Sequence, residues 1–341
     1  MEDRLNGVLG PIDRASKILE IGPSFNPIAP RSRGWDVTVV DHVTQDELIK
    51  KYRSHPNVNV SKIEKVDIVW RDGSLHHTVP TDRHGTFDVL IASHVIEHLP
   101  DPIGFLDSAS RLLHPERGIV ALVVPDKRWC FDCLKQVSTT GQMLAAHRMR
   151  RQRHDMTTRF DFLAYVAFDR QRIAWGREPL PELRLADTLE HAYSEFLSWT
   201  DDPEAAYVDC HAWHFTPASF ELLILELNAL GLLDWHVSWL QPQPQVEFFA
   251  RLSRGGYVFA APEARDARRL DLLKRVLLEI REQTDWQLTN GTDRHVDLQA
   301  ELAAAREALT DAERRITNLQ ASTSWRITAP LRGLVQLVRR R

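Results

Sequence analysis

Cysteine is scarce, with three in 341 residues, too few for a disulfide framework and in keeping with a reducing compartment. No run approaches the roughly 20 apolar residues that a membrane-spanning helix needs. The start, MEDRLNGVLG, carries acids early and no sustained apolar stretch, so it does not read as a secretory leader. Basic charge is not in excess either: the formal net charge is -4, which gives no global attraction to nucleic acid. These absences lead us to expect a cytoplasmic globular protein. With 43% hydrophobic and 26% charged residues, the chain can bury a proper core. One further scarcity is local. After the apolar run ILEIG the chain continues PSFNPIAP, without the second and third glycines of a phosphate-binding loop.

What is present is a series of short apolar, β-branched runs at residues 17–22, 36–41, 66–70, 87–93 and 118–125. Amphipathic stretches separate them, such as DPIGFLDSASRLLHP with Ile103, Leu106, Ala109, Leu112 and Leu113 on one helical face. Near-continuous strands alternating with helices imply an α/β fold with a mostly parallel sheet covered on both faces. Residues 131–213 are polar and rich in Arg and His, and read as a helical insertion. The sheet pattern resumes at 216–232, with Thr216 as N-cap and Pro217 at the first helical position. DWHVSWLQ and QVEFFARLS then read as an antiparallel pair that completes the sheet.

Beyond that core domain of residues 1–256, residues 257–295 read as a helical linker. Leu298, Leu302, Ala305, Leu309, Ala312, Ile316 and Leu319 follow at heptad spacing, which predicts a coiled coil over 296–321 and hence a homo-oligomer. A single amphipathic helix packed on its own domain is the alternative. Residues 322–341 are basic, with five arginines and no acid from Arg326 onward. They fit an amphipathic tail lying on a membrane surface, which would make the protein peripheral.

In open α/β sheets a ligand lies over the carboxyl ends of the strands. There the sequence places Glu20, Gly22, Pro23 and Ser24 after the first strand, Asp41 after the second and Asp72 after the third, followed by SHVIEHLPD after the fourth. A glycine turn with an acid 19 positions later also suits a dinucleotide. However, Pro23 and Pro27 each remove an amide donor that a pyrophosphate would need.

The succession of acids, with FDVLIASHVIEHLPDP at 87–102, resembles the class I methyltransferases that use S-adenosyl-L-methionine (SAM). The resemblance spans about residues 15–130 and resumes at 214–253. It implies a Rossmann-like seven-stranded sheet, parallel with an antiparallel last strand. It also implies SAM as cofactor, with the Gly22 loop holding the methionine part, Asp41 the ribose and Asp72 the adenine amine. His42, Gly73, Ser93 and His94 would complete that site. DHVTQDELIKKYR, PDKRWCFD and the tail SWRITAPLR resemble sequences tied to bacterial surface-polysaccharide synthesis. The implied reaction is therefore O-methylation of a sugar in a surface or lipid-linked glycan. A non-catalytic scaffold in glycan assembly is the competing reading.

Removing the acceptor's proton needs a base in hydrogen-bond reach, and the candidates are His94, Asp126 and His214, with His98 and His211 nearby. HVIEH matches an inverted zinc-protease signature in letters only, because it sits in a strand-to-helix turn. Glu97 and His98 either cap the following helix or, with His94, hold a divalent metal, as in similar ubiquinone-pathway O-methyltransferases. Cys130, Cys133, Cys210 and His214 offer a four-ligand zinc alternative. In the insertion, Arg148, Arg150, Arg151 and Arg153 form either a solvated face or the lining for an acidic acceptor.

Overall fold

The computed structural model describes residues 7–8, 10, 12–169, 172–177, 183–200, 207–288, 302 and 304–315. Five strands run parallel: β1 (Lys17–Ile21), β2 (Asp36–Asp41), β3 (Ile68–Val69), β4 (Val89–Ser93) and β5 (Ile119–Pro125). Two more from the far side of the insertion, β8 (Trp235–Pro242) and β9 (Glu247–Arg254), complete the order β3-β2-β1-β4-β5-β9-β8. β9 runs antiparallel to both of its neighbours. The seven-stranded α/β sheet expected from the sequence is therefore present, with its order reversing between β1 and β4.

Both faces of the sheet are covered, as a parallel sheet requires. Leu19, Ile21, Leu90, Ala92, Val120 and Leu122 pack on one side against helices Pro102–Leu112 and Pro217–Ala229. Ile18, Val89, Ile91, Ala121 and Val123 pack on the other with Val8, Ile12 and Ile28. The helix starts follow their local chemistry. Asp101 accepts the Gly104 amide with Pro102 at the first helical position, and Thr216 and Ser219 form a reciprocal capping box. β3 is shorter than its apolar run suggests, because Asp67 turns its carboxylate onto the Val39 amide and Arg31.

The insertion holds three helices (Thr140–Arg148, Met156–Tyr165 and Leu189–Ser198). It also holds what its composition did not suggest, a two-stranded antiparallel sheet of β6 (Ala167–Asp169) and β7 (Leu183–Leu185). Strands of three residues are too short to leave a readable alternation.

Helix Pro262–Leu288 covers part of the expected linker. Its Leu272 and Val276 pack against Ala218, Leu222 and Leu225, so the compact unit extends to Thr284. In the second unit residues 304–315 are helical, with Leu302 and Leu309 exposed. Leu298, Ile316, Leu319 and the whole basic tail lie outside the described residues. Among the described residues, no helix is long and apolar enough to cross a membrane.

Candidate active site

The loop after β1 is held from beneath. Glu20 is buried, and its two carboxylate oxygens accept the Ile28 and Ala29 amides at 2.5 and 3.1 Å. It therefore shapes the loop from inside instead of reaching a ligand directly as expected. Gly22 has φ +63°, and a Cβ there would lie 3.1 Å from Val95 in the β4 turn. Its amide bonds to Val40 O at 2.8 Å, and the Asn26 amide to Pro23 O at 2.9 Å. The Ser24 amide donates to Asp41 at 3.1 Å. With Pro23 and Pro27 lacking amides, the loop spends its donors on the protein, which makes it a poor pyrophosphate nest.

The same loop fits SAM, which carries no phosphate. Ser24 sits at φ +48°, uncommon outside glycine, and its buried Oγ has no hydrogen-bond partner. Asp41 is buried at the end of β2, where Oδ1 accepts the His42 amide at 2.8 Å and meets His42 Nδ1 at 2.6 Å. Asp72 and Gly73 lie exposed after β3, with Gly73 at φ +71°. Ser93 ends β4, and His94 follows at φ +54°. The structure thus brings the expected cofactor residues to one end of the sheet.

Two of the three candidate bases are spoken for. His94 Nε2 lies 2.9 Å from Glu247 and its Nδ1 3.4 Å from Glu97. Burial pulls its pKa down, but the two carboxylates outweigh this and raise it to about 9. Both nitrogens of His94 thus face carboxylates, which favours its charged form and leaves no lone pair directed at an acceptor or a metal. Asp126 is buried, and Arg128 binds both of its oxygens, at 2.6 and 2.9 Å. Arg128 goes on to Glu282 at 2.7 Å, so this acid anchors the Pro262–Leu288 helix to the sheet and is not poised to take a proton.

His214 remains. It is largely buried, its Nε2 has no hydrogen-bond partner, and burial lowers its pKa to about 3. A neutral imidazole can accept a hydrogen bond from a hydroxyl and orient it. His214 and His211 line a cavity of about 610 Å³ together with residues of the insertion. Of the four insertion arginines, Arg151 and Arg153 line this cavity, while Arg148 and Arg150 are exposed.

Around Glu97 the structure gathers residues that are distant in sequence. The Ala212 and Trp213 amides donate to the Glu97 carbonyl at 2.8 and 3.2 Å, which stitches the end of the insertion onto the β4 turn. Asp132 and Asp209, which sequence reasoning missed, hold His211 and His98 at 2.5 and 2.8 Å. Glu247 was missed as well. The one signal for it was an acid opening the strand EFFARLSR directly before two phenylalanines. Cys130, Cys133 and Cys210 are buried free thiols. Among the described residues they join no metal-holding group, and Cys130 Sγ instead lies 3.8 Å from Asp132.

Three solved structures illustrate how remote the structural likenesses are. A putative Zn-dependent alcohol dehydrogenase from Rhodobacter sphaeroides is 14% identical, with 74% of this chain and 90% of that chain covered and a TM-score of 0.40. A SAM-dependent methyltransferase from Methanosarcina mazei is 13% identical, with 72% and 95% covered and a TM-score of 0.36. The CcbJ methyltransferase from Streptomyces caelestis is 12% identical, with 74% and 94% covered and a TM-score of 0.38. At such values they decide nothing about function. No curated protein matches the chain. The sequence profile of the methyltransferase domain family, by contrast, matches residues 1–181, more than half the chain, so the protein belongs to the methyltransferase domain family and is a methyltransferase.

Proposed function

We propose that the protein transfers the methyl group of SAM to a hydroxyl of an acceptor held in the cavity beneath the insertion. The cavity itself carries this reading, since it is walled by His214 and lies just beyond the turns that follow β4 and β5. Methyl transfer is an in-line displacement at a sulfonium, and much of its acceleration comes from aligning and desolvating the acceptor. SAM supplies the electrophilic methyl. The chain positions the hydroxyl, with His214 accepting its hydrogen bond.

The acceptor class we favour is a sugar of a surface glycan or a lipid-linked intermediate. Support comes from the sequence resemblances at 125–132 and 324–332, and from a lining rich in hydrogen-bonding side chains such as Gln136, Ser138, Gln142 and Thr157. The cations Lys135, Arg151 and Arg153 share the lining with Asp155 and Asp161, which suits a polyhydroxylated acceptor at least as well as a strongly anionic one. Oligomerisation through the heptad segment and a membrane-facing basic tail belong to the same proposal, on sequence grounds.

Calorimetric titration with SAM, followed by transfer of labelled methyl to glycan extracts, tests this reading. No SAM binding by the intact protein removes it. Transfer only to non-carbohydrate acceptors removes the sugar.

A further inference from the structure

We infer that Glu97, His98 and His211 bind one first-row divalent transition-metal ion at the wall of the acceptor cavity. Glu97 is buried, and neither of its carboxylate oxygens has a hydrogen bond of good geometry; the nearest donor, His94 Nδ1, stands 3.4 Å from Oε1. A buried carboxylate so thinly partnered is expensive, and one that also ligates a metal cation is less so. Facing it are two imidazole nitrogens, His98 Nε2 at 3.9 Å and His211 Nε2 at 4.0 Å from Oε1. One donor atom from each of the three residues lies within 4.8 Å of the others. Ligands bound at about 2.1 Å around one ion stand roughly 3.0–3.4 Å apart, so the side chains close on it by about an ångström.

The second nitrogens make the stronger case. His98 Nδ1 is 2.8 Å from Asp209, and His211 Nδ1 is 2.5 Å from Asp132. A carboxylate behind each imidazole places the proton on Nδ1 and leaves the Nε2 lone pair facing inward, as metal-ligating histidines require. The backbone adds its own restraint, because the Ala212 and Trp213 amides bind the Glu97 carbonyl and fix His211 against the β4 turn. His94 takes no part, since Glu247 and Glu97 engage its two nitrogens. The competing arrangement is a network of imidazolium ions around one carboxylate. Such a network would bring every donor to hydrogen-bond contact with Glu97; His94 Nδ1 comes close at 3.4 Å, whereas the His98 and His211 Nε2 atoms stand at 3.9 and 4.0 Å.

Two imidazoles with one carboxylate select Zn²⁺, Co²⁺ or Fe²⁺ over Mg²⁺ and Ca²⁺, which prefer all-oxygen shells. His211 lines the cavity, so the ion lies where an acceptor hydroxyl could reach it and lose its proton more readily. That role rests on the methyl-transfer reading, whereas the binding itself does not.

The full-length protein, stripped with chelator and dialysed, is titrated with Zn²⁺ by calorimetry and with Co²⁺ by visible absorption. We expect one ion per chain, a Co²⁺ ligand-field spectrum, and no competition from millimolar Mg²⁺. His211→Ala and Glu97→Gln should each abolish the spectrum, and Asp209→Asn, behind His98, should weaken binding about 10- to 100-fold. Circular dichroism on each variant separates loss of ligand from loss of fold. Absence of Zn²⁺ and Co²⁺ binding to folded wild type overturns the site, as does binding unchanged in folded His211→Ala and Asp209→Asn. SAM binding by calorimetry on the same samples distinguishes failure of the metal site from failure of the methyltransferase reading.

Discussion

The carboxylate of Glu20 accepts the Ile28 backbone amide at 2.5 Å from inside the sheet. Burial lifts the pKa of this acid to about 7, against the two amide bonds that lower it. A carboxyl whose folded pKa lies above its unfolded value of 4.5 contributes most stability below pH 4.5. That contribution declines as pH rises toward 7 and is flat above, with a limiting slope of about 1.4 kcal/mol per pH unit. The melting temperature of wild type relative to Glu20→Gln should therefore fall between pH 4.5 and 7. Thermal melts across that window check it, and parallel profiles for the two proteins would sink the assignment.

Asp126 is a brace in this structure, so its loss should register in stability and not in ligand binding. Asp126→Asn leaves Arg128, whose side chain is 2% exposed, without its full countercharge. Breaking a buried pair from one side costs about 3–5 kcal/mol, or on the order of 10 °C in melting temperature for a chain of this size. Differential scanning calorimetry measures the drop, and SAM affinity should stay unchanged. A variant that melts with wild type contradicts the bracing role.

Asp41 accepts three hydrogen bonds, two from His42 and one from Ser24, which leaves about one of a carboxylate's four acceptor positions open. A ribose diol gripping both oxygens must displace the His42 ring. Asp41→Asn should weaken SAM binding roughly 10- to 100-fold, the worth of a charged hydrogen bond. His42→Ala should bind SAM as well as wild type or better. Titration of the two variants side by side decides it, and equal losses in both would show that the ring itself holds the cofactor.

If the heptad residues pair chains, Leu302→Asp with Leu309→Asp should convert an oligomer to a monomer by light scattering while SAM binding persists. Removing residues 322–341 should abolish binding to anionic vesicles and leave SAM affinity alone. Vesicle binding that survives the truncation refutes the tail.

Much of this was legible because it is periodic or positional. The apolar runs marked five strands, Thr216 and Pro217 marked a helix start, and acids after successive strands marked the carboxyl end of the sheet. What stayed hidden depends on pairs that only folding brings together. His94 meets Glu247 across 153 positions, and His211 meets Asp132 across 79. No local pattern encodes either pair, so the protonation of His94 could not be read. The pairing of Asp126 with Arg128 was missed for a smaller reason. Arg128 is only two positions away, but it reaches back because the chain turns tightly over Lys127–Trp129.

The insertion leaves and rejoins the sheet at one point. Asp126 bridges Phe215, the Lys127 amide donates to the Phe215 carbonyl at 2.9 Å, and the Trp213 amide lies against the β4 turn. Between them the chain makes a detour that returns to the sheet where it left, with Met143 and Ala146 packed into the main core on the way. Such a segment behaves as a cassette. Acceptor choice could be exchanged between family members by grafting the segment between these clasps, provided that Arg128, which braces the Pro262–Leu288 helix, and Met143 and Ala146, which pack into the main core, are kept.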